Sequence, residues 1–188
     1  MGRRLAAVAG LAGFIFGVHP AQAITFAFNW VGDGGYSTEG LFRYDASIAN
    51  GVISESGAGP THGLQSLSVS FFNPAHTLLE SFNTVSGGVS SSAFFQFNFD
   101  TSTLNLTGPL NVGGGTGVIG EKFFNGTIGG LLRLRQDIDQ QGNSFEIDRQ
   151  NIGVVTVIEV PEAGVSVASW SVLGLGVAWG LARWRRSQ

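Results

Sequence analysis

The chain of 188 residues contains no cysteine. That excludes disulfide bridges, thiolate metal sites and a cysteine nucleophile, so the fold has to be held by burial. Histidine is almost as scarce. Outside the first 23 residues only His62 and His76 are available as a base for a hydrolase nucleophile, and neither stands in a recognisable setting. Serine is abundant, yet no Gly-x-Ser-x-Gly elbow occurs, and His62 follows a Gly59-Pro60 turn where a solvated loop histidine is the ordinary outcome. Positive charge is also missing from the middle of the chain. Five of the ten basic residues (Arg3, Arg4, Arg183, Arg185, Arg186) sit in the terminal segments. The stretch 24–162 keeps Arg43, Lys122, Arg133, Arg135 and Arg149 against all 13 acids, a formal charge of −8. Such a surface repels phosphate backbones, so nucleic acid is not an expected partner.

The termini carry the clearest signals. A positive start, Met1 to Arg4, precedes an uncharged run of 14 residues from Leu5 to Val18. Ala21-Gln22-Ala23 then places small residues at the two positions that a signal peptidase reads. The apolar run is too short to span a hydrocarbon core of about 30 Å, which favours a removable secretory signal, residues 1–23, cut before Ile24. The secretory translocon and signal peptidase are the partners that follow. Two arginines suit an ordinary positive leader, so the general secretory route is expected.

At the other end, 18 residues from Val165 to Ala182 carry no charge and are followed by Arg183, Trp184, Arg185 and Arg186. This pattern predicts a transmembrane helix over 165–182, with a basic tail over 183–188 that stops in the cytoplasm and leaves the preceding body outside. Trp179 and Trp184 lie where indole rings favour the headgroup boundary. Val160-Pro161-Glu162, then a hydrophobic helix, then a terminal arginine cluster is an order that resembles the sorting tail of PEP-CTERM proteins of Gram-negative bacteria. Ala163 stands where that family has proline. The resemblance covers residues 161–188 and implies recognition by an exosortase, a membrane peptidase that cuts near the motif and delivers the protein to the cell surface. It attaches no activity to the body.

The body, 24–160, reads as strands and turns. Glycine makes up 21 and phenylalanine 13 of the residues in 24–162. Ile24, Phe26 and Phe28 alternate with Thr25, Ala27 and Asn29; Leu67, Val69 and Phe71 alternate with serines; Phe95, Phe97 and Phe99 alternate with Gln96, Asn98 and Asp100. Glycine, asparagine and proline clusters fall between such runs as turn signals. Further strands are expected at 41–45, 78–82, 118–123, 127–135, 144–148 and 154–160, with a short helix as the alternative over 131–140. The glycine-rich segment 108–117 reads as a long loop. About nine short strands predict an all-β fold, an antiparallel β-sandwich or jelly roll, flanked by the signal-peptide helix and the transmembrane helix.

Candidate chemistry in the body is thin. Asp137, Asp139, Gln141, Gly142 and Asp148 partly match the spacing of a calcium loop, with oxygen donors at positions one, three, five and twelve and glycine at six. Against this, position five is Gln, position twelve is Asp in place of a bidentate Glu, and the flanks read as strands, so a polar hairpin turn explains the same residues. No cofactor is otherwise expected. Glu121, Glu146, Asp137 and Asp139 are the acids a glycosidase could pair. Asn105-Leu106-Thr107 and Asn125-Gly126-Thr127 are formal glycosylation sequons read as loop chemistry. The expectation is therefore an exported, noncatalytic protein of the cell envelope or extracellular matrix, first anchored in the inner membrane and associated with exopolysaccharide. The alternatives are a carbohydrate- or calcium-binding module acting through Trp30, Tyr36 and Asp33, and a secreted glycosidase.

Overall fold

A computed structural model describes residues 23–48, 51–114 and 117–161. Leader residues 1–22 with Ala21, and the tail with Glu162, Ala163, the apolar stretch and Arg183, Arg185 and Arg186, lie outside the described residues, whereas Ala23, the last residue of the expected leader, is the buried first residue of the first strand and pairs with Asp45. The described chain is all-β. Its strands are β1 (Ala23–Val31), β2 (Ser37–Asp45), β3 (Val52–Ser56), β4 (Gly59–Pro60), β5 (Leu64–Phe72), β6 (Leu78–Ser86) and β7 (Val89–Ser90). They continue with β8 (Gln96–Asp100), β9 (Asn105–Leu106), β10 (Pro109–Gly113), β11 (Lys122–Thr127), β12 (Leu132–Asp137), β13 (Ser144–Gln150) and β14 (Thr156–Val160).

Two antiparallel sheets result. The first runs β14-β1-β2-β5-β6-β7-β4 and the second β13-β12-β11-β10-β8-β3, with β9 added to β8. They pack face to face around an aromatic core. Phe26 of the first sheet lies 5.1 Å from Phe99 of the second, and Phe42 lies 5.0 Å from Phe97, ring centre to ring centre. These are the inward residues of the alternating runs, each 0–1% exposed. A fully buried Phe gains about 1.5–3 kcal/mol over an exposed one, so such rings supply the cohesion that missing disulfides cannot. Gly40 makes the tightest fit: it pairs with Phe28 across β1 and β2, and a methyl group there would overlap the Phe28 ring.

Several expectations change. Segment 108–117 is not simply a loop, because Pro109–Gly113 forms β10, flanked by β8 and β11 within the second sheet. Gly113 (φ +109°) presses against the Phe71 ring, where a side chain would not fit. The strand expected from Val118 starts only at Lys122, since Glu121 N–H closes a turn onto the Val118 carbonyl at 3.1 Å. The strand expected from Thr127 starts at Leu132, after a turn in which Gly130 N–H reaches the Thr127 carbonyl at 2.9 Å. The helical alternative over 131–140 gives way to β12. Asn105 and Asn125 both stand in strands, β9 and β11, not loops. β3, unforeseen, turns Ile53 and Glu55 inward.

Candidate functional site

The outer face of the second sheet carries a cleft of about 440 Å³ near the β12–β13 turn. Register builds it. Phe123 of β11 pairs with Arg135 of β12, Asn125 pairs with Arg133, and Asn111 of β10 pairs with Asn125, so Asn111, Phe123, Asn125, Arg135 and Asp137 share one face. Phe94 joins them from the segment before β8. There Phe95 N–H bonds the Ser92 carbonyl and Phe94 N–H the Ser92 hydroxyl. That tight bend sends Phe95 inward at 1% exposure and leaves Phe94 outward at 61%. Ser144 and the turn residues Gln140 to Gly142 complete the wall.

Two polar atoms here lack partners among the described residues. Asn125 Oδ1 and Arg135 Nε are buried and make no hydrogen bond, although an Arg135 Nη2 bonds the Ser144 carbonyl at 3.1 Å. Asp137, the last residue of β12, is 4% exposed. Burial pushes its carboxyl above the ordinary aspartate range, an N–H from Gly117 opposes this, and the charges of Glu121 and Asp139 raise it further.

The four residues of the calcium reading part company. Asp137 and Gln141 line the cleft. Asp139 is used within the turn: it accepts the backbone N–H of Gln141 at 2.9 Å and of Asn143 at 3.0 Å, and the Asn143 amide. The Asn143 amide bond chiefly holds its carboxyl below the usual range. Asp148 faces elsewhere. A bulge in the β12–β13 ladder pairs it with inward Leu134, and it accepts N–H groups from Gly34 and Tyr36 in the β1–β2 turn of the other sheet. Among the described residues no three His, Asp or Glu side chains could hold a metal ion together.

The other sequence candidates also find places. Trp30 is core, 1% exposed and 4.7 Å from the Phe124 ring, so it offers no surface to a ligand. Tyr36 packs against that core and Asp33 is exposed at the turn, where its N–H bonds the Arg149 carbonyl. Glu146 forms ion pairs with Arg133 at 3.0 Å and Arg149 at 3.7 Å. His62 is solvated and touches Glu55 at 3.3 Å; His76 stacks on Phe72 at 4.6 Å. A second groove, about 410 Å³, lies on the outer face of the first sheet over Ala27, Leu41 and Ile158, edged by Asn29, Glu39 and Ser70. Phe94, Asn111, Asn125 and Arg135 were not foreseen as site residues. The Phe94-Phe95 doublet carried a usable signal, because alternation in β8 places Phe95 inside and its neighbour outside. Comparison with protein-family models, curated proteins and solved structures finds no match to the chain.

Proposed function

We propose that this is an exported, noncatalytic protein of the cell envelope or extracellular matrix whose ectodomain works by binding extracellular polysaccharide in the second-sheet cleft. The cleft carries this reading. An exposed aromatic ring beside amide, hydroxyl and guanidinium groups is the mixture that a polyhydroxylated ligand uses, its apolar face on the ring and its hydroxyls on the polar groups. Each of the two grooves is lined by one carboxylate, Asp137 or Glu39, whereas glycoside hydrolysis ordinarily employs a pair. That favours holding over cutting.

Export rests on the leader and the positive-inside tail, which give the same orientation by separate arguments. Strand pairing is compatible with it: Thr25 lies opposite Val160, so the two ends of the body leave side by side. The PEP-CTERM-like order makes an exosortase the processing partner, with the motif beginning at Val160, the last residue of β14. Intact mass of the protein recovered from its own cells and medium tests export, with ends at Ile24 and near Glu162 expected; a cytoplasmic protein retaining Met1 would sink it. Retention on polysaccharide extracted from the same cells tests binding. Phe94→Ala should lower retention about tenfold, and undiminished retention would remove the cleft from the reading.

A further inference from the structure

We infer that the cleft selects an uncharged sugar carrying two adjacent hydroxyls, which engage Asn125 and Arg135 while the sugar ring lies against Phe94. This rests on the binding reading above and narrows its ligand. Asn125 Oδ1 is an acceptor without a donor, and Arg135 Nε is a donor without an acceptor. Because Asn125 pairs with Arg133, and Arg135 stands two residues further along β12, they are diagonal neighbours on one face. Diagonal pairs lie about 7–8 Å apart, within reach of a single sugar ring.

The chemistry of the two atoms discriminates between ligands. A hydroxyl both donates and accepts, so two adjacent hydroxyls satisfy both atoms. A carboxylate alone would satisfy Arg135 and leave Asn125 Oδ1 without a donor, and an ammonium alone would do the reverse; a uronate or an amino sugar keeps hydroxyls beside its charged group, so charge decides against it. Asp137 on the wall, with Glu121 and Asp139 within electrostatic reach of it, disfavours a uronate, while the Arg135 guanidinium in the same wall disfavours an ammonium. Gln140, Gln141, Asn111 and Ser144 add only uncharged donors and acceptors. Both orphan atoms are shielded from solvent as the side chains stand, so engagement requires the Asn125 amide and the Arg135 head group both to turn toward the cleft mouth, the latter shifting its bond to the Ser144 carbonyl. The terminal torsion of Asn125 is broad and permits its turn at little cost.

The test uses the protein recovered from its own cells, titrated calorimetrically with neutral hexasaccharides of glucose, mannose and galactose, with hexagalacturonate, and with the glucosamine hexamer. At least one neutral probe should bind, and both charged probes should bind at least about tenfold more weakly. Asn125→Ala and Arg135→Met should each weaken the neutral probe by about 10–100-fold, the range for losing one strong hydrogen bond. Asn29→Ala, on the opposite face, should change nothing. Phe94→Ala keeps the test interpretable should Arg135→Met fail to fold, because the Phe94 ring is mostly exposed. A charged probe that binds as tightly as the neutral ones overturns the inference and leaves the cleft reading standing. Neutral binding untouched by Phe94→Ala overturns both. No binding by any probe overturns the inference, and retention on the cells' own polysaccharide then decides whether the broader reading falls with it.

Discussion

Asp148 accepts backbone N–H groups of Gly34 at 2.8 Å, Tyr36 at 3.0 Å and Arg149 at 2.8 Å, and is 8% exposed. Asp148→Ala removes the charged acceptor of these part-buried donors, each bond contributing about 1–2 kcal/mol, so a loss of about 3–5 kcal/mol is expected in urea unfolding. Asp148→Asn keeps one acceptor oxygen and should lose about half as much; an unchanged midpoint for the alanine variant would refute the latch. Two other acids give opposite pH responses. Burial pushes Glu55 upward, but N–H groups of His62, Gly63 and Leu64 outweigh it and hold its carboxyl below the glutamate range. Its stabilisation is therefore present above the unfolded pKa and lost as pH falls through the folded one. The deficit of Glu55→Gln should be about 2 kcal/mol at pH 7 and fade as the solution becomes strongly acidic. Asp137 is raised, so the folded state binds its proton more tightly and stability falls as pH rises from the ordinary aspartate pKa to the folded one. Asp137→Asn retains an acceptor for Gly117 and should raise Tm at pH 7, with the gain vanishing near pH 3. A gain equal at both pH values would show that the carboxylate charge is not the cause.

Strands with strict alternation were legible from residue order, and the reason is visible in β1, β5 and β8. Phe26 and Phe28, Val69 and Phe71, and Phe97 and Phe99 all point inward because a period of two can satisfy only one buried face. β10 was illegible since its Pro109 and Gly113 carry turn signals, while the packing that makes it a strand comes from distant Phe71 and from β8 and β11. Trp30, expected as a ligand-binding residue, is core for a reason of the same kind: its partner Phe124 lies 94 residues away in sequence. The cleft was largely hidden, because Asn111, Asn125 and Arg135 meet only through the β10–β11–β12 register. At this scale Gly40 offers the sharpest test. Gly40→Val forces the Phe28 ring out of its notch and should cost about 3 kcal/mol, the upper end for overpacking. In a Phe28→Ala background the same change should cost little, and a double-mutant cycle with no coupling would disprove the ring-in-notch contact.

Among the described residues, polar stitches join the two sheets where cysteine-bearing domains can use disulfides. Asp148 of β13 holds the β1–β2 turn; Glu55 of β3 holds the start of β5; Gly113 N–H of β10 bonds Thr84 Oγ1 of β6 at 3.1 Å; Lys122 N–H of β11 bonds Glu80 of β6 at 3.0 Å. The first two sit on opposite edges of the second sheet, five strand steps apart, which is about 24 Å at 4.8 Å per step. They share no partner, and between them lies one continuous aromatic core that neither side chain enters as a ring contact. Independent sites of this separation add within about 0.5 kcal/mol. The double variant Asp148→Ala, Glu55→Gln should therefore lose the sum of the single losses while still unfolding in one cooperative step, because the core, not the stitches, couples the sheets. In the form ending near Glu162, where Trp30 is the one tryptophan, far-ultraviolet dichroism and tryptophan fluorescence, the latter reporting Trp30 beside Phe124, should give coincident urea transitions. If the two signals separate, the sheets are coupled through the stitches, and the aromatic core alone does not make the sandwich a single folding unit.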